Sequence, residues 1–491
     1  MKKALISVFL LLVFTGFAHA ELNIELLGIL EGENNGDEFG WYLANLGDIN
    51  GDGYEDFAIT AQDYPANGDS GRVYIYFGDE LRDLSVDMIL DNPGGVRWFG
   101  QSVCGFPDVT GDGCDELLVG AFGYGVFLYF GGCPPDDTPD RFFFEPMYGY
   151  GFQIASGDVN KDGFSDFMVG GGGADDLMYV YVGSAEMDTV ADFVLNWYQI
   201  GMMGIATGDV NGDGYDDIVA SAGVAGRTLL FFGRDSLHSE PDVIFPVPWW
   251  KDGVGDVNGD GYDDVIADRH LYFGGEEIDT SNYLWLKYAL YASEVGRLNR
   301  DGYGDIVTDD HWGFIWDQIF IYSGGDPVDS IYDWASQTLT DNFGFDIAVV
   351  DINSDGVDEF LVSQVYYPND LRRGRVYVYG GDTTTTSVSQ LGELQLPEDI
   401  VLYQNYPNPF NSSTVIEFSV STRCPVPSTL KVYNSRGQLV KTLLEMPLIA
   451  GRYHYVWDGT DYMGGEASSG IYFIVLKGGD LQETCKAILM R

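Results

Sequence analysis

The sequence predicts an all-β protein: a seven-bladed β-propeller closed by an N-terminal strand, followed by a small β-sandwich. Three observations lead there. An acidic, glycine-containing stretch recurs seven times at a spacing of about 50 residues. Short β-branched runs follow every copy, and no helical apolar period lies between them. After residue 381 the acid excess ends and a second pattern of alternating strands begins.

Composition sets the limits. The chain has 491 residues, 45% of them hydrophobic, which is too long for one ordinary core and rich enough to fill several. Its 65 glycines and 15% aromatics favour short strands joined by tight turns. The net charge is −51. Residues 398–491 hold 8 Lys+Arg and 9 Asp+Glu, leaving 17 against 67, a balance of −50, on the residues before them. Such a surface repels nucleic acid and anionic headgroups. It serves either solubility or cation binding.

Residues 1–20 read as an export signal. Lys2 and Lys3 precede the apolar Leu5–Phe17, and Ala18-His19-Ala20 gives a small-x-small cleavage pattern before Glu21. The alternative is an N-terminal anchor. No later segment has the roughly 20 consecutive apolar residues of a membrane helix. Five cysteines are too few to staple a chain of this size; Cys104–Cys114 and Cys424–Cys485 are candidate pairs, with Cys133 left over.

The propeller spans 21–381. "LNIELLGIL" at 22–30 reads as a strand that completes the last blade, which protects edges and ties the ring together. The acidic stretches then start at 48, 108, 158, 209, 256, 297 and 351. Each is followed by a run such as "FAIT", "LLVG" or "IVAS", and by a second that ends in glycine, such as "GRVYIYFG" or "GRVYVYGG". Another strand precedes most loops, opening with Phe39-Gly40, Phe99-Gly100 or Phe343-Gly344.

Numbered from its first residue, each stretch carries side-chain oxygens at positions 1, 3, 5 and 9, glycine at 6, and a usable carbonyl at 7. That is hard-cation chemistry, with glycine permitting the sharp bend. Carboxylates about 4 Å apart repel by roughly 4 kcal/mol at an effective dielectric near 20, and a divalent ion reverses the sign. The candidate calcium ligands are Asp48, Asn50, Asp52, Tyr54 and Asp56 in loop 1; Asp108, Thr110, Asp112, Cys114 and Glu116 in loop 2; and Asp158, Asn160, Asp162, Phe164 and Asp166 in loop 3. Asp209, Asn211, Asp213, Tyr215 and Asp217 follow in loop 4, Asp256, Asn258, Asp260, Tyr262 and Asp264 in loop 5, and Asp351, Asn353, Asp355, Val357 and Glu359 in loop 7. Loop 6 departs, with Arg297 in first place ahead of Asn299, Asp301 and Asp305. Either the guanidinium pairs with Asp301 or Asp305, or the site is weak or empty. Up to six calcium ions are thus expected, with loop 6 excepted. An EF-hand is excluded, because position 12 is Ile59, Val119, Val169, Ala220, Ala267, Thr308 or Val362 and strands, not helices, follow.

The Phe-Gly openings, the D-x-N-x-D-G-x-x-D loops and the glycine-ended strands over 22–381 resemble the FG-GAP repeats of the integrin α-subunit propeller and its bacterial relatives. The "GAP" element is poorly kept, with Val119–Ala121 nearest to it. The resemblance implies calcium at the six matching loops on one face of the ring, and partners on a face or rim.

Residues 382–397 form a polar linker. From 398 to 491, "YPNPFN", "WDG", "SGIYF" and a basic-ended final strand accompany alternating strands, which argue a small immunoglobulin-like β-sandwich. This segment resembles the C-terminal sorting domain of the type IX secretion system. The resemblance implies a Gram-negative source, export to the periplasm, passage across the outer membrane through that machinery, and release or surface attachment. The alternative is an ordinary immunoglobulin-like accessory domain.

No H-E-x-x-H, G-x-S-x-G or phosphate-cradling motif is present, and the calcium loops absorb most acid pairs. His270 and His311 read as strand or turn residues. Nine tryptophans in the propeller read as wedges between blades, with Trp249-Trp250 the best candidate for a sugar platform. The expectation is therefore a secreted, non-enzymatic binding or adhesion module for an extracellular protein or glycan. A polysaccharide lyase or glycosidase on a propeller scaffold is the rival.

Overall fold

A computed structural model describes the chain from residue 22 to 490, apart from 23, 66–69, 81, 83, 172–176, 185–186, 198–199, 223–225, 248–252, 290–292, 311–316, 338, 340–341, 369–370, 382–399 and short stretches of the C-terminal unit. The export signal, the linker, Trp249-Trp250, His311 and Cys424 lie outside the described residues. The chain divides into two compact units, Met1–Thr384 and Thr385–Arg491. Among the described residues no helix is long and apolar enough to cross a membrane.

In the first unit the described strands make seven four-stranded antiparallel sheets. The first contains Phe39–Gly47, Asp56–Ala61, Arg72–Tyr76 and Met88–Asp91 in chain order. The five sheets after it repeat that order. The innermost strands of the seven sheets touch in succession, and Phe343–Val350 of the last touches Phe39–Gly47 of the first, so the ring closes on itself. The last sheet is assembled from both ends of the unit. Glu25–Glu31 lies beside Arg375–Gly380, with Glu25 opposite Gly380 and Glu31 opposite Arg375. This is the closing strand the sequence leads one to expect.

Each second strand is sandwiched by neighbouring sheets. Asp56–Ala61 is buried throughout, as are Glu116–Ala121 and Asp217–Ala222. Burial on both faces explains why these runs are apolar after their first residue, broken only by Thr60 and Ser221, where a one-sided sheet would alternate. The cores lie between sheets. Phe57 and Tyr76 of the first sheet pack with Leu361 and Val378 of the last, and Phe106 and Phe143 of the second with Phe167 of the third. The Phe-Gly openings serve this packing. Gly40, at φ 90°, would place a Cβ 2.9 Å from Ser363 Cβ of the adjoining sheet, and Gly100, at φ 82°, one 3.2 Å from Thr60.

Two sequence expectations change. The largest fully buried side chains of this unit are tyrosines and phenylalanines, while Trp41, Trp98, Trp197 and Trp334 are half-buried and Trp285 is 48% exposed. Phenylalanine and tyrosine supply the fully buried wedge residues, while Trp197 and Trp334 pack at the edges of inter-sheet cores. Cys104 and Cys114 are both free thiols. Cys104 sits on an inner strand beside the central cavity, whereas Cys114 belongs to loop 2 and packs near Gly51 of loop 1.

The second unit is a two-sheet stack. Ile400–Leu402, Thr414–Val420 and Gly451–Trp457 form one sheet, and Leu439–Leu448, Val426–Asn434, Gly470–Gly478 and Leu481–Leu489 the other. One core is shared between them, with Ile416 and Phe418 from the first sheet against Leu430, Val432, Ile474 and Leu476 from the second. Trp457 is fully buried there, and its indole N–H donates to the Thr460 carbonyl at 2.9 Å.

Candidate metal centres at the hairpin loops

Every sheet of the ring turns from its inner strand to its second strand through one of the acidic loops, so the seven loops share one end of the strands. In loop 1 the Asp48 carboxylate accepts the Asp52 and Gly53 N–H groups at 3.0 and 2.8 Å. Asn50 Oδ1 accepts the Asp52 N–H at 2.8 Å, and Asp52 Oδ1 accepts the Tyr54 N–H at 3.1 Å. Loops 3 and 5 repeat all four bonds. The sixth-position glycine lies at φ between 81° and 94° in all seven loops, a region costly for residues with a Cβ.

Position 9 differs in kind from positions 1, 3 and 5. Asp56 is wholly buried. One oxygen accepts the Ile49 N–H at 3.0 Å, and the other the Gly78 N–H, at the end of the third strand, at 2.9 Å. Asp166, Asp217, Asp264 and Asp305 make the same pair of bonds within their own sheets. This carboxylate therefore fastens the start of its loop to the third strand. Burial, reinforced by the charges of Asp52 and Asp48 against the two N–H bonds, raises the Asp56 carboxyl to about 8. Burial likewise raises Asp166, Asp217, Asp264 and Glu116 to about 7 and Glu359 to about 8. A cation or a proton is what such a group lacks.

The carboxylates of each loop are turned toward their own amides, and among the described residues no group of three or more His, Cys, Asp or Glu side chains is drawn together as a ready chelate. Even so, the donor set suits a hard cation in loops 1 to 5: oxygens alone, from carboxylates, amides, carbonyls and, in loop 2, the Thr110 hydroxyl. Loop 4 gives the most direct sign. Asp209 Oδ1 is buried without a hydrogen-bond donor, an anionic oxygen that a calcium ion would satisfy. When bound, the ion would neutralise the converging charge; Asp48, Asn50, Asp52 and Asp56 and their counterparts would hold it.

Loops 6 and 7 are different. Arg297 is exposed and, among the described residues, forms no ion pair with Asp301 or Asp305; its N–H donates to Asp358 at 2.6 Å. Of the two alternatives for this loop, the ion pair is absent among the described residues, and loop 6 lacks the position-1 acceptor. In loop 7 an arginine does enter. Arg82, from the segment after the third strand of the first sheet, places Nη2 3.1 Å from Asp355 Oδ2 and 2.8 Å from Glu359 Oε1.

Sequence reasoning missed position 8. Asp115, the eighth residue of loop 2, accepts the Asp48 N–H of loop 1 at 2.8 Å and returns its own N–H to the Asp48 carbonyl at 2.9 Å. Asp216 binds Asp158 in the same two-way manner, Asp263 binds Asp209, and Asp358 binds Arg297. Glu55 accepts the Asp351 N–H at 3.0 Å and so joins loop 1 to loop 7. The signal was an acid at position 8 in five of the seven loops.

The opposite end of the strands carries the Phe-Gly openings and a chain of aromatic contacts. Trp41 lies 4.9 Å from Phe345, Trp98 5.4 Å from Phe122, and Phe122 5.5 and 5.6 Å from Tyr148 and Phe152. Tyr148 is 65% exposed. His270 stands apart, edge-on to Tyr283 at 4.4 Å.

Known proteins share these features. The FG-GAP repeat matches residues 39–76 and 203–234, and the FlgD Ig-like domain matches 408–480. Integrin alpha-4 of Xenopus laevis is 40% identical over 111 residues, 21% of this chain and 10% of its own length. Integrin alpha-5 of the same organism is 28% identical over 232 residues, 41% of this chain and 22% of its own. This chain thus spans under a quarter of the length of either relative. Among solved structures, PorZ, a surface component of the type-IX secretion system of Porphyromonas gingivalis, aligns with 89% of this chain and 58% of its own at 12% identity and a TM-score of 0.35, too slight a likeness to bear on function. The ring of sheets and the sequence matches together show a first unit that carries FG-GAP repeats and is similar to the propeller of integrin α subunits, followed by a unit similar to the FlgD Ig-like domain.

Proposed function

We propose that this chain is an exported, calcium-binding seven-bladed propeller that acts as a binding or adhesion module for an extracellular protein or glycan. The carrying observation is the division of labour between the two ends of the ring. At one end, buried position-9 carboxylates and the donorless Asp209 Oδ1 call for cations. At the other, half-exposed aromatics centred on Phe122 and Tyr148 offer flat apolar faces of the kind that stack on sugars or side chains.

In this reading calcium stiffens the ring and takes no part in chemistry. Sites of extracellular modules bind at about 10⁻⁴ to 10⁻³ M, so millimolar calcium fills them. The C-terminal sandwich serves as the sorting domain of type IX secretion; the "YPNPFN" and "SGIYF" stretches and its near-neutral charge beside the acidic ring support that assignment.

The test is a glycan array and a protein pull-down with residues 21–381 in calcium and in EGTA. Calcium-dependent capture that Tyr148→Ala and Phe122→Ala weaken supports the module. Turnover of acidic or neutral polysaccharides by the purified chain would replace it with an enzyme.

A further inference from the structure

Loop 7 carries acids at positions 1, 5 and 9, yet a cationic side chain is already in place among them. Asp355 and Glu359 occupy positions 5 and 9, where an ion would be gripped from two sides. Arg82 Nη2 lies between them, 3.1 Å from Asp355 Oδ2 and 2.8 Å from Glu359 Oε1. Glu359 is wholly buried, and its other oxygen takes the Ile352 N–H at 3.0 Å. In five other sheets the corresponding second oxygen accepts the N–H of the glycine that ends the third strand. Here, among the described residues, no N–H donates to that oxygen, and the guanidinium meets it as an ion pair instead. Arg300 of loop 6 adds a second positive group, donating to the Asp355 carbonyl at 2.8 Å.

We infer that Arg82 is a built-in replacement for calcium at loop 7, so that this loop binds no metal while loops 1 to 5 do. A guanidinium cannot be deprotonated in a protein, so neither pH nor chelation removes it. A divalent ion entering between Asp355 and Glu359 would meet both its bulk and its charge.

The location gives the substitution a purpose. Loop 7 belongs to the sheet built from both ends of the unit, and Arg82 belongs to the sheet beside it. The two are also joined by the Leu43 N–H to Asp346 at 2.7 Å and the Asp351 N–H to Glu55 at 3.0 Å. This joint closes the ring. A metal there would make closure depend on external calcium, whereas an arginine holds it when calcium is scarce.

The inference rests on the calcium reading of loops 1 to 5, and the test separates the two. Calcium bound per full chain is counted by equilibrium dialysis for the wild type, Arg82→Ala and Arg82→Gln, with melting temperatures in EGTA and in millimolar calcium. Either variant should bind one more ion than the wild type, melt lower in EGTA, and gain more from calcium than the wild type does. Equal counts and equal gains in the variants that fold would overturn the role of Arg82 while leaving calcium at the other loops intact. A wild type that binds no calcium would overturn both.

Discussion

Asp115 accepts the backbone N–H of Asp48 at 2.8 Å and gives its own N–H to the Asp48 carbonyl at 2.9 Å, so two loops 67 residues apart are fastened by a reciprocal pair. Its Oδ1 also accepts the Asp108 N–H of its own loop at 2.9 Å. Asp216, Asp263 and Asp358 repeat the reciprocal pair between their own neighbouring loops. The ring is therefore stitched at its acidic end by a residue that no metal need touch.

Removing one stitch should weaken the ring without emptying a calcium site. Asp263→Ala leaves the half-buried Asp209 N–H without its acceptor, a loss of about 1–3 kcal/mol. Asp263→Asn keeps a carbonyl oxygen and should lose less. Chemical denaturation with calcium counting checks both: stability falls in that order while the number of bound ions holds.

Chelation should lower the melting temperature markedly. Each site held at ten times its dissociation constant adds about 1.4 kcal/mol, and five such sites act together. Scanning calorimetry in excess EGTA and in millimolar calcium decides the matter. Superimposable traces would refute calcium as a structural element.

The pH response should invert the usual one. In the metal-free fold Asp56 holds its proton to about pH 8, and Asp166, Asp217 and Asp264 to about 7; in the unfolded chain such groups ionise near about 4. Between those limits the folded state binds more protons, so stability falls as pH rises. In EGTA the protein should melt higher near about pH 5 than near about pH 8. Calcium, taking the place of those protons, should erase the difference. Asp264→Asn should flatten the profile in EGTA, and an unaltered profile would show that the buried carboxyl does not drive it.

Gly53 should respond by backbone strain alone. Gly53 lies at φ 94°, and a Cβ added there would meet nothing within 4 Å, so Gly53→Ala should cost about 1–3 kcal/mol and weaken calcium at loop 1. Gly71→Ala should be worse, because its Cβ would collide with the Phe99 carbonyl oxygen. Paired melting and calcium titration of the two variants checks the ranking.

Much of this is legible in the residues alone. Spacing reveals the loops, β-branched runs reveal the buried second strands, and "LNIELLGIL" reveals the closing strand, because each is a local pattern. What escapes depends on neighbours far apart in sequence. Position 8 looks like one more acid until its partner, some 50 to 60 residues away, is in view. An arginine in place of the ion is expected at Arg297, because that residue stands inside a loop. Arg82 takes the place from another sheet, 273 residues before Asp355. Cys104 and Cys114 are near in sequence, yet an inner strand and a loop separate their thiols.

The strand pair that shuts the ring has a mechanical consequence. Because Glu25 faces Gly380, the two termini of the wheel emerge at the same corner. Tension between them would strain the pair like a zipper, one rung after another, and never in shear. A pull along the polypeptide should peel the first strand away at low force while the other six sheets stay whole.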